Sequence, residues 1–220
     1  MTKHQKLDLF KARELYCLTC EKFSNGKNNI EVVKEMLDSG VKIIQYREKE
    51  KSQREKYYEC NQIKKLTDEY NAVLIVNDHI DLCQIVDADG IHIGQNDYPI
   101  EVVKNFLGQE KIIGVTAHTK EQAILAQENG ADYIGLGPIF ETYTKGIYIK
   151  PRGLEFIKWA NENLTIPFVA IGGIKENNLF KVIESGAKCI AMVTEIVGAY
   201  NIKEKVMKIY EIMKGLDENE

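Results

Sequence analysis

Short apolar runs rich in β-branched residues recur at regular intervals along the chain. Within each run the apolar residues are continuous rather than alternating with polar ones, which is typical of strands covered on both faces. The first and the last run start 175 residues apart, or 25 residues per repeat, which leaves room for one helix between neighbouring strands. The eight runs are Glu14–Cys20, Val41–Glu48, Ala72–Asp78, Gly90–Gln95, Lys111–His118, Tyr133–Phe140, Ile166–Gly173 and Cys189–Ile196. The pattern therefore predicts eight buried parallel strands.

The segments between the runs carry the signals of helices. Thr119 and Gln122 form a capping-box signature at the start of a helix that we expect to extend to Asn129. Three junctions have a glycine just after the predicted helix, and a left-handed glycine commonly ends a helix. These junctions are Ser39-Gly40-Val41, Asn129-Gly130-Ala131 and Ser185-Gly186-Ala187. Each spacer is thus predicted to be a helix that ends shortly before the next strand.

Eight strand–helix repeats with no linker between them predict an α/β fold, a (β/α)₈ TIM barrel. We expect a single domain over residues 1–220, with the repeats at about 14–214 and short polar tails on either side. The alternative is an open, doubly wound sheet, which usually has fewer strands and a glycine-rich first turn. The first turn here, Cys20–Asn25, is not glycine-rich, and this favours the barrel.

The charge and composition of the 220 residues argue against some classes of binding partner. The net charge of −4 and the isoelectric point near 5.7 give no basic field for non-specific nucleic-acid binding. No apolar run approaches the ~20 residues of a membrane span, and the first fifteen residues lack the apolar core of a signal peptide. We therefore expect a cytoplasmic protein that acts on small molecules, without nucleic-acid or membrane partners. The sequence does not indicate an oligomeric state.

Five cysteines, an odd number, include the pair Cys17-Leu18-Thr19-Cys20, whose spacing occurs in redox and zinc sites. No second pair of cysteines or histidines accompanies it. The pair also lies in a predicted strand, where positions three apart point to opposite faces. The cysteines are therefore interpreted as buried structural thiols.

Polar residues collect where the predicted strands end, which in this fold is where the active site lies. The second strand ends in Gln45-Tyr46-Arg47-Glu48-Lys49, and strand alternation places Gln45, Arg47 and Lys49 on one face if the strand extends that far. Two cations and one amide on a single face predict an anion-binding site. The alternative is a solvated strand end with ordinary surface ion pairs.

Two aspartates follow neighbouring strands. Asp78 comes directly after Asn77 at the end of the third strand, and Asp97 lies in the loop after the fourth. Two carboxylates can bind Mg²⁺ together with phosphate oxygens and waters. The alternative is that each aspartate caps the helix that follows it. The neighbouring cations favour a metal-bound phosphate ester.

The last strands carry further candidates for anion binding. Ile171-Gly172-Gly173-Ile174 and Val193-Thr194 follow the seventh and eighth strands, where barrels of this type often bind phosphate. The loop after the sixth strand contains two hydroxyls and a cation, from Thr142, Thr144 and Lys145. Among the histidines, His118 is a candidate general base, whereas His79 and His92 are interpreted as structural.

Six blocks of the sequence resemble thiamine phosphate synthase, in order and with compatible spacing over roughly residues 14–197. They are QYREK (45–49), VNDHIDL (76–82), ADGIHIGQND (88–97), IGVTAHT (113–119), GADYIGLGPIF (130–140) and IPFVAIGGI (166–174). Blocks such as AIGGI occur in many phosphate-binding barrels. The combination of Q-x-R-x-K, N-D and G-Q-x-D is much more specific to this family.

The resemblance implies a transferase that joins hydroxymethylpyrimidine diphosphate to a thiazole phosphate, giving thiamine phosphate and diphosphate with Mg²⁺ as cofactor and no protein nucleophile. It implies that Asp78 and Asp97 bind the metal. It assigns the pyrimidine diphosphate to Gln45, Arg47, Lys49, Asn77, Thr116 and Lys145, and the thiazole phosphate to Thr142, Thr144, Gly173, Val193 and Thr194. Two other functions stay open, a thiazole tautomerase of the same barrel family and a non-catalytic barrel that binds a phosphorylated ligand.

The sequence departs from the family pattern in two ways. Thr116 and Thr194 stand where family members commonly have serine, and both keep the hydroxyl. After Thr144-Lys145 the chain continues Gly146-Ile147-Tyr148-Ile149-Lys150 instead of the usual second lysine and aspartate. This second departure concerns the loop over the thiazole side of the expected site.

Overall fold

A computed structural model describes residues 1–144 and 148–215, and in this part of the chain eight parallel strands close into a barrel. Each strand pairs with the next in sequence, and β1 closes the barrel against β8 with Leu15 opposite Ile190. The strands are β1 (Glu14–Leu18), β2 (Ile43–Tyr46), β3 (Val73–Asn77), β4 (Gly90–Ile93), β5 (Ile112–Ala117), β6 (Tyr133–Leu136), β7 (Phe168–Ile171) and β8 (Cys189–Met192). The predicted TIM barrel is confirmed.

Most of the helices surround the barrel and cover the outward faces of the strands, while the first helix lies at one open end. They are α1 (Lys3–Lys11), α2 (Asn29–Asp38), α3 (Gln53–Glu69), α4 (Ile80–Ile85), α5 (Ile100–Leu107), α6 (Lys120–Glu128), α7 (Leu154–Asn163), α8 (Glu176–Glu184), α9 (Thr194–Val197) and α10 (Ile202–Lys214). None of the helices in the described residues has the length and apolarity needed to cross a lipid bilayer. The main core lies between this ring and the strands, and it contains residues such as Val33, Leu74 and Ile134.

The local signals at helix ends behave as the sequence predicts. Gly40, Gly130 and Gly186 have φ values of +95°, +81° and +97°, in the left-handed region that glycine adopts without a steric penalty. Thr119 caps α6 by accepting a hydrogen bond from the backbone of Gln122 (3.2 Å). The side chain of Gln122, however, accepts from the backbone N–H of His118 (2.7 Å) rather than from that of Thr119.

Every predicted strand is present, but each ends earlier than its apolar run. β6 ends at Leu136 rather than Phe140, and β8 ends at Met192, before the short helix α9 that includes Ile196. The apolar pattern continues past the strand ends because the loops there fold back over the barrel and bury residues such as Ile139. A run of buried side chains therefore marks the core but not the length of the strand.

All five cysteines are buried free thiols, as predicted. Cys17 packs in the layer between strands and helices, and burial raises the pKa of its thiol. Cys20 belongs to the same core, and its sulfur also accepts a hydrogen bond from Nη1 of Arg47 (3.8 Å).

A second, smaller core fills the interior of the barrel. The aromatic rings of Tyr16 and Tyr133 pack there against Phe10 of α1, with centroid distances to Phe10 of 5.9 Å and 4.5 Å. The ring of Tyr133 passes over Gly114 of β5, where the β-carbon of any other residue would lie 2.1 Å from the ring. Gly114 is therefore required for space, because any larger residue would displace the ring.

The first thirteen residues differ from the predicted polar tail. They contain helix α1, which begins with a reciprocal capping box between Thr2 and Gln5. An ion pair between Lys6 and Asp89 (2.6 Å) attaches the helix to the barrel, and Phe10 is only 1% exposed. The helix was not predicted because it has few apolar side chains and therefore no clear amphipathic pattern. One of these side chains, Phe10, inserts into the open end of the barrel.

We predict that Phe10→Ala lowers the free energy of unfolding by about 3–5 kcal/mol, because it removes a buried ring and leaves a cavity inside the barrel. The measurement is urea-induced unfolding followed by circular dichroism. Phe106→Ala is the matched control, since Phe106 is 54% exposed on α5, and its effect should stay within about 0.5 kcal/mol. Equal effects of the two variants would contradict the role of Phe10.

Candidate active site

A cavity of about 510 Å³ opens at the carboxyl ends of the strands. Its wall includes side chains that follow β2, β3, β5, β7 and β8, together with the loop after β6. The structure thus brings together most of the site residues predicted from the sequence, which are Gln45, Arg47, Asn77, Thr116, Thr142, Thr144, Gly173, Val193 and Thr194. Lys49, Asp78 and Asp97 lie outside this wall, and Lys145 lies outside the described residues.

Arg47 is a buried cation in the cavity wall. Its side chain follows directly after β2, and the residue is 7% exposed. The backbone N–H of Arg47 donates to the hydroxyl of Thr19 (2.8 Å), which in turn donates to the carbonyl of Arg47 (3.2 Å). Within residues 1–144 and 148–215, the structure gives its guanidinium no carboxylate partner. A desolvated cation without a counter-charge is costly, so this position favours an anionic ligand.

The structure corrects the expectation that Lys49 shares a strand face with Gln45 and Arg47. β2 ends at Tyr46, so alternation along a strand does not extend to residue 49. The side chain of Lys49 is 57% exposed, and its Nζ lies 2.7 Å from Oδ2 of Asp78. Lys49 therefore lies beside the aspartates rather than in the cavity wall.

Asp78 and Asp97 come close together at the ends of β3 and β4. Asp78 has a φ of +63°, and its backbone N–H donates to the carbonyl of His92 (3.0 Å). The carboxylate of Asp97 accepts a hydrogen bond from the backbone N–H of Gly94 (2.6 Å). Neither aspartate caps a helix, because α4 follows His79 and α5 follows Pro99, both without a side-chain cap. The helix-cap alternative is therefore wrong.

The two carboxyl groups affect each other's ionisation. Burial raises the pKa of Asp97, and the negative charge of Asp78 raises it further. Burial also acts to raise the pKa of Asp78, but the hydrogen bond and charge of Lys49 and a hydrogen bond with Asp97 outweigh it, so the pKa is lowered. Two adjacent, partly desolvated carboxyl groups are a donor set that a divalent cation would stabilise.

These donors fit Mg²⁺ better than a metal that needs a full protein cage. In the described part of the chain, no group of three or more histidine, cysteine, aspartate or glutamate side chains is arranged to bind a metal. Mg²⁺ usually binds through one or two carboxylates and completes its shell with waters and substrate phosphates. Asp78 and Asp97 can supply those two carboxylates.

Glycines after β7 shape the opposite side of the cavity. Gly172 and Gly173 have φ values of +101° and +64°. A β-carbon at position 173 would lie 2.4 Å from the carbonyl oxygen of Glu141. Gly173 is therefore needed for close packing of the loop that carries Thr142 and Thr144, whose hydroxyls are 3.2 Å apart.

Helix α9 begins at Thr194, directly after β8, and both Val193 and Thr194 line the cavity. A short extra helix at this point, next to the loop after the seventh strand, is a common phosphate site in barrels of this type. The arrangement places backbone N–H groups and a hydroxyl at the end of β8, which only β1 separates from Arg47's strand.

The histidines occupy three different environments. His118 lines the cavity, and its Nδ1 donates to the carbonyl of Gly137 (2.5 Å). His79 accepts a hydrogen bond from the buried Nζ of Lys56 (3.0 Å), and burial followed by the charge of Lys56 lowers its pKa. His92, interpreted from the sequence as structural, instead lies in the cavity wall, where its ring bonds to Thr116 and Tyr133.

A continuous row of hydrogen bonds crosses the floor of the cavity. Gln45 Nε2 lies 2.8 Å from Tyr16 Oη, the two tyrosine hydroxyls are 2.9 Å apart, Tyr133 Oη lies 2.9 Å from His92 Nδ1, and His92 Nε2 lies 2.8 Å from Thr116 Oγ1. We call these five residues the floor chain. Its two ends are predicted from the sequence as site residues, but the three residues between them are not, because the barrel brings them together from β1, β6 and β4.

A buried polar cluster holds the segment after β2, and no part of it was predicted from the sequence. Asn29 donates to both Glu48 (2.9 Å) and Glu59 (3.0 Å), and Glu59 also accepts from Tyr46 (2.7 Å) and Lys51 (2.6 Å). Glu59 is 8% exposed. The signal in the sequence is a glutamate on the face of α3 that also carries Cys60 and Ile63. The cluster fixes the backbone on both sides of Arg47 and Lys49.

Three comparisons with known proteins agree with one another. The sequence profile of a family described as thiamine monophosphate synthase matches residues 15–196. A thiamine-phosphate synthase of Dictyoglomus turgidum is 61% identical over 215 residues, which cover 98% of this chain and 96% of the relative. One of Caldicellulosiruptor saccharolyticus is 59% identical over 217 residues, covering 99% and 98%. The solved structure of a thiamine phosphate pyrophosphorylase from Pyrococcus furiosus has a TM-score of 0.86 at 34% identity, covering 94% of this chain and 98% of that one.

We predict that Glu59→Gln lowers the free energy of unfolding by about 1.5–3 kcal/mol, because Lys51 loses a buried charge-assisted hydrogen bond. Amide hydrogen exchange at residues 47–51 should accelerate in the same variant. Glu69→Gln is the matched control, since Glu69 is exposed at the end of the same helix. Unchanged exchange in Glu59→Gln would show that the cluster does not hold this segment.

Proposed function

The chain belongs to the thiamine monophosphate synthase family, and we propose that its barrel mouth joins hydroxymethylpyrimidine diphosphate to a thiazole phosphate. The protein is an enzyme, a transferase that forms thiamine phosphate. Relatives that are 59–61% identical over nearly the whole chain are named thiamine-phosphate synthase, which favours the synthase over a tautomerase and over a non-catalytic barrel.

The observation that carries the proposal is the buried Arg47 in the cavity wall. Its guanidinium is desolvated without a carboxylate partner in the described residues, although most other buried or half-buried cations, such as Lys6 and Lys51, pair with carboxylates. The diphosphate of the pyrimidine substrate would supply the missing negative charge. Arginine also binds phosphate oxygens in a bidentate manner, which fixes the leaving group in one orientation.

The pyrimidine diphosphate would occupy the side of the cavity next to the carboxyl ends of β2, β3 and β5. Gln45 would bind the heterocycle, while Asn77 and Thr116 would bind the diphosphate together with Arg47. Lys49 would reach the outer phosphate from its position beside Asp78. Lys145 is assigned to the same ligand by the family resemblance alone.

Asp78 and Asp97 would bind Mg²⁺, with the diphosphate completing its shell. The ion would supply positive charge where the leaving group becomes more negative. Lys49 neutralises Asp78 in the described structure, so we expect its ammonium group to turn toward the diphosphate when the ion binds. Asn77 would donate its side-chain amide to the same phosphate oxygens.

The thiazole phosphate would bind on the opposite side of the cavity. Gly173 and the start of α9 at Val193 and Thr194 would offer backbone N–H groups to the phosphate, which is a common arrangement in these barrels. The hydroxyls of Thr142 and Thr144 would complete the phosphate contacts. The two substrates would then meet above the floor chain.

In the proposed reaction the bond between the pyrimidine methylene carbon and the diphosphate oxygen breaks first. Its electron pair leaves with diphosphate, and positive charge remains on the methylene carbon and the ring. The lone pair of the thiazole nitrogen then forms the new carbon–nitrogen bond. Arg47 and the lysines would stabilise the growing charge on diphosphate, which is usually the largest contribution to catalysis in such a step. No side chain needs to act as a nucleophile.

We predict that Arg47→Ala lowers kcat/KM for the pyrimidine diphosphate by about ten- to a hundredfold, because a charge-assisted hydrogen bond contributes about 1.5–3 kcal/mol. The measurement is steady-state formation of thiamine phosphate at saturating thiazole phosphate. Arg54→Ala is the control, since Arg54 is exposed on α3, and it should leave the kinetics unchanged. Wild-type kinetics in Arg47→Ala would exclude this site for the diphosphate.

We predict that Asp78→Asn and Asp97→Asn each reduce turnover strongly and act non-additively, because the second change affects an ion already displaced by the first. Asparagine tolerates the left-handed backbone of Asp78, so the change tests the charge rather than the backbone. Turnover is measured against Mg²⁺ concentration, and each single variant should need more Mg²⁺. Two small, additive effects would contradict a shared ion.

A further inference from the structure

The floor chain has a single hydrogen-bond direction, which follows from its end at Gln45. The amide nitrogen Nε2 of Gln45 can only donate, so the hydroxyl oxygen of Tyr16 accepts at 2.8 Å. Tyr16 has one proton, and its other partner is the hydroxyl of Tyr133 at 2.9 Å. Tyr16 therefore donates to Tyr133, and the proton of Tyr133 is left for His92.

The same reasoning continues to the other end of the chain. Tyr133 donates to Nδ1 of His92, so this nitrogen carries no proton and Nε2 carries one. Nε2–H then donates to the hydroxyl oxygen of Thr116 at 2.8 Å. The proton of Thr116 is thus not used within the chain, and it can donate to a ligand in the cavity.

Burial makes this direction stable. Tyr16 and Tyr133 are 2% and 0% exposed, and burial is the main cause that raises the pKa of both phenols. Each phenol therefore stays protonated and provides one donor and one acceptor. The rings are fixed by packing against Phe10 and over Gly114, so both phenol oxygens stay within reach of their partners in the chain.

We propose that Tyr16, Tyr133 and His92 are positioning residues that make the ligand contacts of Gln45 and Thr116 depend on each other. With the chain in the inferred direction, Gln45 presents its acceptor Oε1 to the cavity and Thr116 presents its hydroxyl proton. An acceptor suits an N–H group on a pyrimidine, and a donor suits a diphosphate oxygen. This inference rests on the proposed function for the identity of the ligand, but the direction of the chain does not.

In the fully reversed arrangement, every bond of the chain runs the other way. It requires the Gln45 amide to turn over and the proton of His92 to move to Nδ1. Thr116 would then donate to His92 and present only lone pairs to the cavity, where a phosphate oxygen would be repelled. The inferred direction of the floor chain therefore favours a ligand that has a hydrogen-bond donor near Gln45 and a negatively charged group near Thr116.

The first test reads the chain without any substrate. Nitrogen-15 NMR distinguishes protonated from unprotonated imidazole nitrogens, and His92 is assigned by comparison with His92→Gln. We expect wild-type His92 to be protonated at Nε2 and unprotonated at Nδ1. In Tyr133→Phe, which keeps the ring but removes the donor to Nδ1, both tautomers should be populated. A wild-type ring protonated at Nδ1, or an unchanged spectrum in Tyr133→Phe, would overturn the proposal.

The second test measures coupling between the two ends. The dissociation constant of hydroxymethylpyrimidine diphosphate with Mg²⁺ is measured by calorimetry for Gln45→Leu, Thr116→Val and the double variant. We expect Thr116→Val to weaken binding about tenfold in the wild type and much less in Gln45→Leu, where nothing sets the direction. In a Tyr133→Phe background the two losses should multiply to within about a factor of two, as for independent sites. Independent losses in the wild-type background would overturn the coupling.

Two further variants complete the design. Tyr16→Phe breaks the chain one link earlier and should also abolish the coupling, which keeps the test valid if Tyr133→Phe does not fold. Tyr210→Phe is the matched control, because it removes a half-buried phenol that bonds to Glu14 outside the cavity, and it should preserve both tautomer and coupling. If the wild type neither binds the diphosphate nor turns over, the proposed function fails, while the NMR spectrum still decides the direction of the chain.

Discussion

The interior of the closed barrel must be filled, and aromatic rings that carry hydroxyls do much of the filling. Tyr16 and Tyr133 pack against Phe10 on one side, while their hydroxyls point to the side where the cavity begins. A buried hydroxyl is costly unless it is hydrogen-bonded, so the core of the barrel forces polar partners onto the cavity floor. The shape of the site is therefore set by the same residues that stabilise the fold.

Charge is distributed unevenly between the scaffold and the site. The segment after β2 is held by hydrogen bonds from Tyr46 and Lys51 to the buried carboxylate of Glu59, whereas the guanidinium of Arg47 on the same segment has no carboxylate partner in the described residues. The surrounding cluster keeps Arg47 in place at a position that is unfavourable without a ligand. Burying the guanidinium without a counter-charge destabilises the free protein. An anion that pairs with Arg47 removes this cost, and this strengthens its binding.

The sequence predicts features that depend on residues close together along the chain. It does not predict contacts between residues that are far apart along the chain. The strands, the glycines that end helices and the aspartate pair were all predicted, because each depends on a local pattern. Lys49 was predicted to share a face with Gln45 and Arg47 if the strand extended that far, but β2 ends at Tyr46, and the local pattern does not show where the strand stops. The floor chain and the Asn29–Glu59 cluster could not be predicted, because their members come from different strands and helices and become neighbours only when the barrel closes.

The position of α1 has a consequence for the order in which the chain can fold. Phe10 precedes every strand in sequence, but its ring packs against Tyr133 of β6, and the strand that follows α1 pairs with β8. Contacts between residues so far apart in sequence form slowly, because a long loop must close first. Helix α1 therefore cannot complete its packing until β6 is in place, although it precedes all eight strands in sequence, and its insertion is expected late in folding.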